Sequence, residues 1–263
     1  MSGSRHRSPF CFVGILVPLE LLPIINCSNR LLGLLGEDEY RELMPLLGRV
    51  RLGLGEVVCK PGAAASRVYF PCSCLLSVQT LMADGTAVEA AAIGNDGFAG
   101  IDVLLGARYW TASLMCQVEG DCLTMEVDDF LAATRGDSGL RRAAQRYVAA
   151  YLGLVSQSVA CNRLHKVEER FAGWILMTCD RLGSEAFYLT QEFIAEMLGV
   201  QRPSVSTVAS AFQQAGVIRY ARGRMRVLDR QRLEQASCEC YAVCARQEQE
   251  LLLAPGQAAG RYR

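Results

Sequence analysis

Thr-Gln-Glu-Phe-Ile-Ala-Glu-Met-Leu-Gly-Val-Gln-Arg-Pro-Ser-Val-Ser-Thr-Val-Ala, residues 190–209, carries the most ordered local pattern in the chain. Thr190 suits an N-cap, and Glu192 suits the positive end of the helix dipole that follows it. Ile194 and Leu198 recur on one face, and Ala195 is small where a second helix would cross closely. Gly199 falls where a tight turn needs positive φ, which glycine adopts without a Cβ clash. Val200 plugs that turn, and Val205 and Val208 form the inward face of the next helix. These seven positions together predict a helix-turn-helix.

The next residues extend the unit. Gly216-Val217-Ile218 leads into Arg219-Tyr220, a turn at Arg222-Gly223 and the run Met225 to Leu228, which predicts a β-hairpin wing over the end of residues 190–229. Between Gln201 and Arg232 stand seven arginines (202, 219, 222, 224, 226, 230 and 232) against one acid, Asp229. A concentration of positive charge in a chain of net charge +0 is the footprint of a polyanion. The expected partner is double-stranded DNA.

Within that reading the second helix begins at Gln201 or Arg202 and enters the major groove. Arg202 can span guanine O6 and N7 with its fork, while Ser204, Ser206 and Thr207 can reach base edges or phosphates. Pro203 is tolerated in a first turn, where its missing N–H has no helical partner. Thr190, Arg222 and Arg224 complete the expected DNA-contacting set, the two arginines as phosphate contacts.

Working towards the N-terminus, residues 167–183 carry Val167, Phe171, Trp174, Ile175 and Thr178 at helical spacing and stop at Gly183. Before them lies a long helical pattern with two apolar stripes. One runs Leu140, Ala144, Tyr147, Tyr151, Leu154, Ser158, Cys161, and the other Val148, Leu152, Val155, Val159. A helix apolar on two faces is buried on both, so one face is expected on its own domain and the other against a partner chain's identical helix. Tyr147, Tyr151, Leu154, Ser158 and Cys161 are the expected homodimer seam, with a hinge at 162–166.

Residues 49–127 have a different texture. Short β-rich runs at 68–70, 75–81, 87–93, 112–118 and 122–127 alternate with turn signals such as Pro61-Gly62, Asp84-Gly85 and Gly94-Asn95-Asp96-Gly97. Strands at near-regular spacing predict a jelly-roll β-barrel. Ahead of them, Ser28 can cap a short helix carrying Leu31 to Leu35, and a second helical run covers 37–47. The expected class is α+β, with boundaries at 1–27 (disordered extension), 28–136 (sensor barrel), 137–166 (dimerisation helix and hinge), 167–245 (winged helix-turn-helix) and 246–263 (flexible tail).

A barrel, a long helix and a winged helix-turn-helix in that order resemble the Crp/Fnr family of regulators. The resemblance spans about residues 29–244. It includes Gly55-Glu56, Pro61-Gly62, Val68-Tyr69-Phe70, residues 167–170 and the whole DNA-binding unit. It implies a cytoplasmic transcription regulator, a homodimer on a pseudo-palindromic operator, contact with RNA polymerase, and an effector that shifts the DNA-binding helices.

The effector itself does not carry over. Cyclic-nucleotide-binding members hold phosphate with a Gly-Glu pair and, some ten residues later, an Arg-Ser/Thr-Ala run. Here Gly100-Ile101 and Trp110-Thr111-Ala112 stand in those places, so the acid and the phosphate-neutralising arginine are both replaced. Loss of that charge-assisted contact argues against cyclic AMP, although Arg108 could serve an anion through a shifted loop. Gly100, Ile101, Arg108, Trp110 and Thr111 mark the expected effector pocket. Cys11 and Cys27 do not reproduce the clustered cysteines of iron–sulfur sensors.

Composition bounds the rest. With 12 cysteines and 2 histidines there is no disulfide-framework spacing, and the thiols read as mostly reduced and buried. No cofactor or metal is expected as the leading reading. Two cysteine groups keep an alternative open, a redox- or metal-responsive sensor acting through a protein partner: Cys238, Cys240 and Cys244 after the wing, and Cys161 one turn from His165. The chain carries no P-loop, nucleophile elbow or metal-protease motif, so it reads as a non-enzyme. The apolar run 10–25 follows Arg5, His6 and Arg7, but Pro18, Glu20 and Pro23 interrupt it. It reads as an extension or an upstream start rather than an export signal or a membrane span.

Overall fold

The computed structural model describes residues 28–252, so the expectations for 1–27 and for 253–263 lie outside the described residues. Asn29, the second described residue, acts as a staple. Its Oδ1 accepts the Leu32 amide at 3.0 Å, and its Nδ2 donates to the carbonyls of Pro71 and Gly97 at 2.8 and 2.9 Å. The side chain that holds the approach to the short 3-10 turn Leu32–Leu34 is therefore Asn29 rather than Ser28. Helix α1 (Glu37–Leu43) gives way to a second 3-10 turn at Met44–Leu46, where Pro45 has no N–H to continue the ladder.

Seven antiparallel strands follow: β1 (Gly48–Leu52), β2 (Val57–Cys59), β3 (Arg67–Pro71), β4 (Leu75–Leu81), β5 (Ala87–Ile93), β6 (Ser113–Val118) and β7 (Gly120–Glu126). They form two sheets, β1-β7-β3 and β2-β6-β4-β5. The strands at 75–81 and 87–93 fall on the expected residues. β1 and β2 do not announce themselves in sequence. β1 is an edge strand with Arg49 and Arg51, charge that discourages further pairing, and β2 is three residues long.

Phe70, Phe98 and Phe130 cluster in the barrel core with centroids 5.5–6.4 Å apart. Phe130 comes from α3 (Val127–Ala133), which continues straight from β7 with Asp128 and Asp129 in its first turn, complementing the dipole. A shorter helix, α2 (Ile101–Leu104), bridges β5 and β6.

Helix α4 (Gly139–Leu164) starts on Ser138, whose Oγ accepts the Arg141 amide at 3.1 Å. Leu140, Ala144 and Tyr147 bury against the barrel, the Tyr147 ring lying 5.6 Å from Phe98. Next come α5 (Val167–Leu182, closed by Gly183), β8 (Ala186–Tyr188), α6 (Gln191–Leu198), α7 (Arg202–Gln214), β9 (Ile218–Ala221), β10 (Arg224–Val227), α8 (Arg230–Ala236) and α9 (Glu239–Leu252).

Two expectations need correction. The tail expected from residue 246 is helical as far as Leu252, and α9 lies along α4, held in part by Glu248 to Arg30 at 2.8 Å. This changes which stripe of α4 is free. Tyr147 is buried in its own core, and Tyr151, Leu154, Ser158 and Cys161 are half-buried, facing the barrel, α5 and α9 of the same chain. Outward instead point Leu152 and Val159, 59% and 69% exposed, from the second stripe.

The C-terminal helical region docks on the barrel through Leu75, Ala92 and Val118, which share its apolar core, and through polar contacts. Arg181 of α5 pairs with Asp96 at 3.3 Å, both nearly buried, and its carbonyl accepts the Asn95 amide at 3.1 Å. Trp174 Nε1 donates to Glu89 of β5 at 3.3 Å, and burial pushes the Glu89 carboxyl above its ordinary range.

Candidate nucleic-acid interface

The predicted turn closes as its residue types require. Thr190 Oγ1 accepts the Phe193 amide at 3.3 Å, and Gly199 sits at φ 61°, ψ 38°. The amides of Gly199 and Val200 fold back onto the carbonyls of Glu196 and Ala195 at 3.2 and 2.9 Å, a Schellman closure. Ile194, Ala195, Leu198, Val205 and Val208 are buried, and Val200 packs on that core. Arg170 of α5 donates to the Leu198 carbonyl and to Asn162 Oδ1 (2.6 Å), tying this turn to the end of α4.

The first turn of α7 projects outward. Gln201, Arg202, Ser204 and Thr207 are exposed, whereas Ser206 is half-buried. Thr207 Oγ1 donates to the Pro203 carbonyl one turn earlier at 3.0 Å, the i−4 back-bond that threonine makes within a helix. Arg202 Nε meets Glu192 Oε1 at 3.0 Å across the two helices, with both side chains more than half exposed.

Beside α7 stands a three-stranded sheet in the order β8-β10-β9. Its hairpin turns on Arg222 (φ 51°) and Gly223 (φ 78°), the paired positive angles of a type I′ turn. The Tyr220 hydroxyl donates to the Leu189 carbonyl at 2.8 Å and so locks the wing to the start of α6; burial raises this phenol to about 12.

Alternation places Arg219, Arg224 and Arg226 on the exposed face, with Arg219 directly opposite Arg226. Like charges facing each other across a ladder oppose folding. Among the described residues, no acid pairs with these three or with Arg222.

Two of the seven arginines belong elsewhere. Arg230 is bound to Asp180, Glu185 and Glu234 at 2.6, 3.0 and 2.9 Å, and Arg232 donates to the Ala215 carbonyl at 2.8 Å, closing the end of α7. Both hold the domain together rather than face a ligand. Sequence counting could not separate them from the wing arginines, because Asp180 and Glu185, which bind Arg230, precede the motif and Arg232 meets a backbone carbonyl.

In the barrel, Gly100, Ile101, Trp110 and Thr111 line one cavity of about 230 Å³, with Tyr151, Leu152 and Val155 of α4 across from them. Gly100 has φ 152°, and a Cβ there would lie 2.5 Å from Val68 Cγ1, so glycine is required. The lining is mostly apolar. Asp102 enters it and accepts from Thr111 Oγ1 and the Thr111 amide, at 2.9 and 3.3 Å. A carboxylate thus occupies the donors an anion would need. Arg108 is exposed outside the cavity and does not line it, so it supplies no replacement cation there.

The two cysteine groups meet each other. Cys161 and His165 at the end of α4 face Cys238 and Cys240 of the same chain, not a symmetry-related copy of themselves. Cys244 lies apart, beside Tyr147 and Glu248.

The helix pair, the arginine wing and the preceding barrel together share their fold with solved structures of transcription regulators. More particularly, residues 169–236 match the Crp-like helix-turn-helix domain family. No curated protein sequence matches the chain. Among solved structures, FixK2 from Bradyrhizobium japonicum superposes with a TM-score of 0.64 at 16% identity, over 73% of this chain and 98% of that one. A CRP-family transcriptional regulator from Thermus thermophilus gives 0.59 at 20% identity, over 72% and 96%. The c-di-GMP responsive global regulator CLP from Xanthomonas campestris gives 0.56 at 13%, over 73% and 99%. At these identities the likeness is one of fold. Among the described residues no helix is long and apolar enough to cross a membrane.

Proposed function

We propose that the chain binds operator DNA as a homodimer, reading bases with the first turn of α7 and gripping phosphates with the wing. The observation that carries this is the juxtaposition of the exposed Gln201, Arg202, Ser204 and Thr207 with a wing face whose arginines lack acidic partners among the described residues. Arg202 is the base-reading residue. Arg222 and Arg224 are phosphate contacts, joined by Arg219 and Arg226; Thr190, which caps α6, and the half-buried Ser206 complete the contacting set.

The dimer seam is the stripe of exposed Leu152 and Val159 with the half-buried Val155 between them, continuing from the buried Val148. These residues repeat at steps of four and three, as a two-helix seam requires. The resemblance extends this reading to a pseudo-palindromic site and to contact with RNA polymerase.

Control by a cyclic nucleotide is not part of the proposal. The cavity offers a ligand apolar walls and the Asp102 carboxylate, which disfavour a phosphate. Binding to duplex DNA as a function of salt tests the proposal. Affinity should fall steeply and linearly on logarithmic axes, as counterions leave the neutralised phosphates. An affinity indifferent to salt would overturn it.

A further inference from the structure

We propose that Cys161, His165, Cys238 and Cys240 form a four-ligand site for a thiophilic divalent cation of the zinc class, which clamps the hinge after α4 to the segment that follows the wing. The ligand atoms of all four residues lie within 4.8 Å of one another. Cys161 Sγ is 3.6 Å from Cys238 Sγ, and Cys240 Sγ is 3.4 Å from His165 Nδ1. Zinc bonds of about 2.3 Å to sulfur and about 2.05 Å to nitrogen give tetrahedral edges of about 3.8 and about 3.6 Å. The side chains already stand near those edges.

A second, independent observation is the partner of the histidine. With Nδ1 turned to the sulfurs, His165 Nε2 lies 3.2 Å from Glu239 Oε2. A carboxylate on the far ring nitrogen fixes the tautomer and raises the basicity of a metal-binding imidazole. Gln157 Nε2 adds a donor to Cys240 Sγ at 3.1 Å, as ligating thiolates commonly accept. The barrel thiols Cys74, Cys116 and Cys122 have no histidine among them and lie fully within the apolar core.

The chemistry of the donor set selects the ion. Three thiols and one imidazole favour zinc over magnesium or calcium, which prefer oxygen. On coordination each cysteine gives its proton to solvent, so the bound ion carries thiolate ligands. Four protein ligands leave no open position, which marks a closed structural or regulatory site rather than a catalytic one.

Its place in the fold gives it leverage. Cys161 and His165 end α4, whereas Cys238 and Cys240 join α8 to α9. An ion there bridges the dimerisation helix to the far side of the DNA-binding region.

The test uses the full reduced chain, stripped of metal and titrated with zinc or cobalt. One equivalent per chain is expected, and cobalt should give the intense visible bands and thiolate charge transfer of a tetrahedral site. Cys238→Ser should abolish that spectrum. Glu239→Gln keeps all four ligands and alters a mostly exposed side chain, so it leaves folding intact. It should lower affinity for zinc by about 10–100-fold. Zinc should also slow amide exchange across residues 162–166 in the wild-type chain. Weak six-coordinate cobalt spectra, or zinc affinity unchanged by both substitutions, would overturn the site. Metal binding without slowed exchange would overturn the clamp. None of these readouts requires DNA, so the site can fail while the DNA-binding proposal stands.

Discussion

Arg202 Nε lies 3.0 Å from Glu192 Oε1, one residue on each helix of the helix-turn-helix. Glu192 thereby aims the guanidinium along the surface of α7 before any ligand arrives. An exposed pair of this kind contributes little stability, about 0–1 kcal/mol, so its consequence is one of orientation.

Arg202→Ala should cost about 1–3 kcal/mol at one base pair of each half-site and relax the preference there. Glu192→Gln should leave thermal stability nearly unchanged while reducing discrimination at that same base pair. Competition binding against operators substituted at each position measures both. Uniform weakening at all positions would mean that Arg202 contacts phosphate instead.

The wing arginines should behave in the opposite way. Arg222→Ala or Arg224→Ala is expected to weaken specific and non-specific duplexes alike and to reduce the salt slope by about 1 for each contact removed. At Arg222, glycine would be the cleaner substitution, since φ 51° strains any side chain with a Cβ. A loss confined to one sequence would contradict the assignment.

The two stripes of α4 separate by mutation. Leu152→Glu and Val159→Glu alter exposed positions and should yield folded monomers in sedimentation, with DNA affinity lost through dimer dissociation. Tyr147→Ala instead removes a ring packed on Phe98 and should cost about 3–5 kcal/mol of stability. If Tyr147→Ala dissociates a dimer without destabilising it, the assignment of the stripes is wrong.

Glu89 provides a pH signature. Burial raises its carboxyl above the unfolded value, so the folded state binds the proton more tightly. Its contribution is fully present below the ordinary glutamate range and is lost as pH rises through the elevated folded value. Chemical denaturation across mildly acidic pH should show that decline, and Glu89→Gln should flatten it. An identical pH profile in the variant would remove Glu89 from the account.

How much of this was legible in sequence follows from the range of the interactions involved. The helix-turn-helix is written in local rules: a capping threonine, a glycine at positive φ, and apolar residues at fixed offsets. Its residues therefore fell where expected. The Arg222-Gly223 turn was readable for the same reason. α9 was not, because its placement depends on a face of α4 reached only after folding. Without α9, the two stripes of α4 could not be apportioned between self and partner.

The cysteine cluster shows the same limit. Cys161 with His165 is an i, i+4 pair visible in sequence, and Cys238 with Cys240 is a second visible pair. Their separation of 77 residues, from Cys161 to Cys238, is closed only by the packing of α9 on α4. Counting charge alone cannot set Arg230 and Arg232 apart, since Asp180, Glu185 and the Ala215 carbonyl reach them from other elements.

The most direct test of the central claim is selection of bound sequences from a random duplex pool, run in parallel with the reduced, zinc-loaded wild-type chain and with Arg202→Ala. The account predicts a two-fold symmetric motif for the wild type and loss of information at one base pair per half-site for the variant. Absence of any enriched motif with the wild-type chain, or an identical motif with Arg202→Ala, would contradict it.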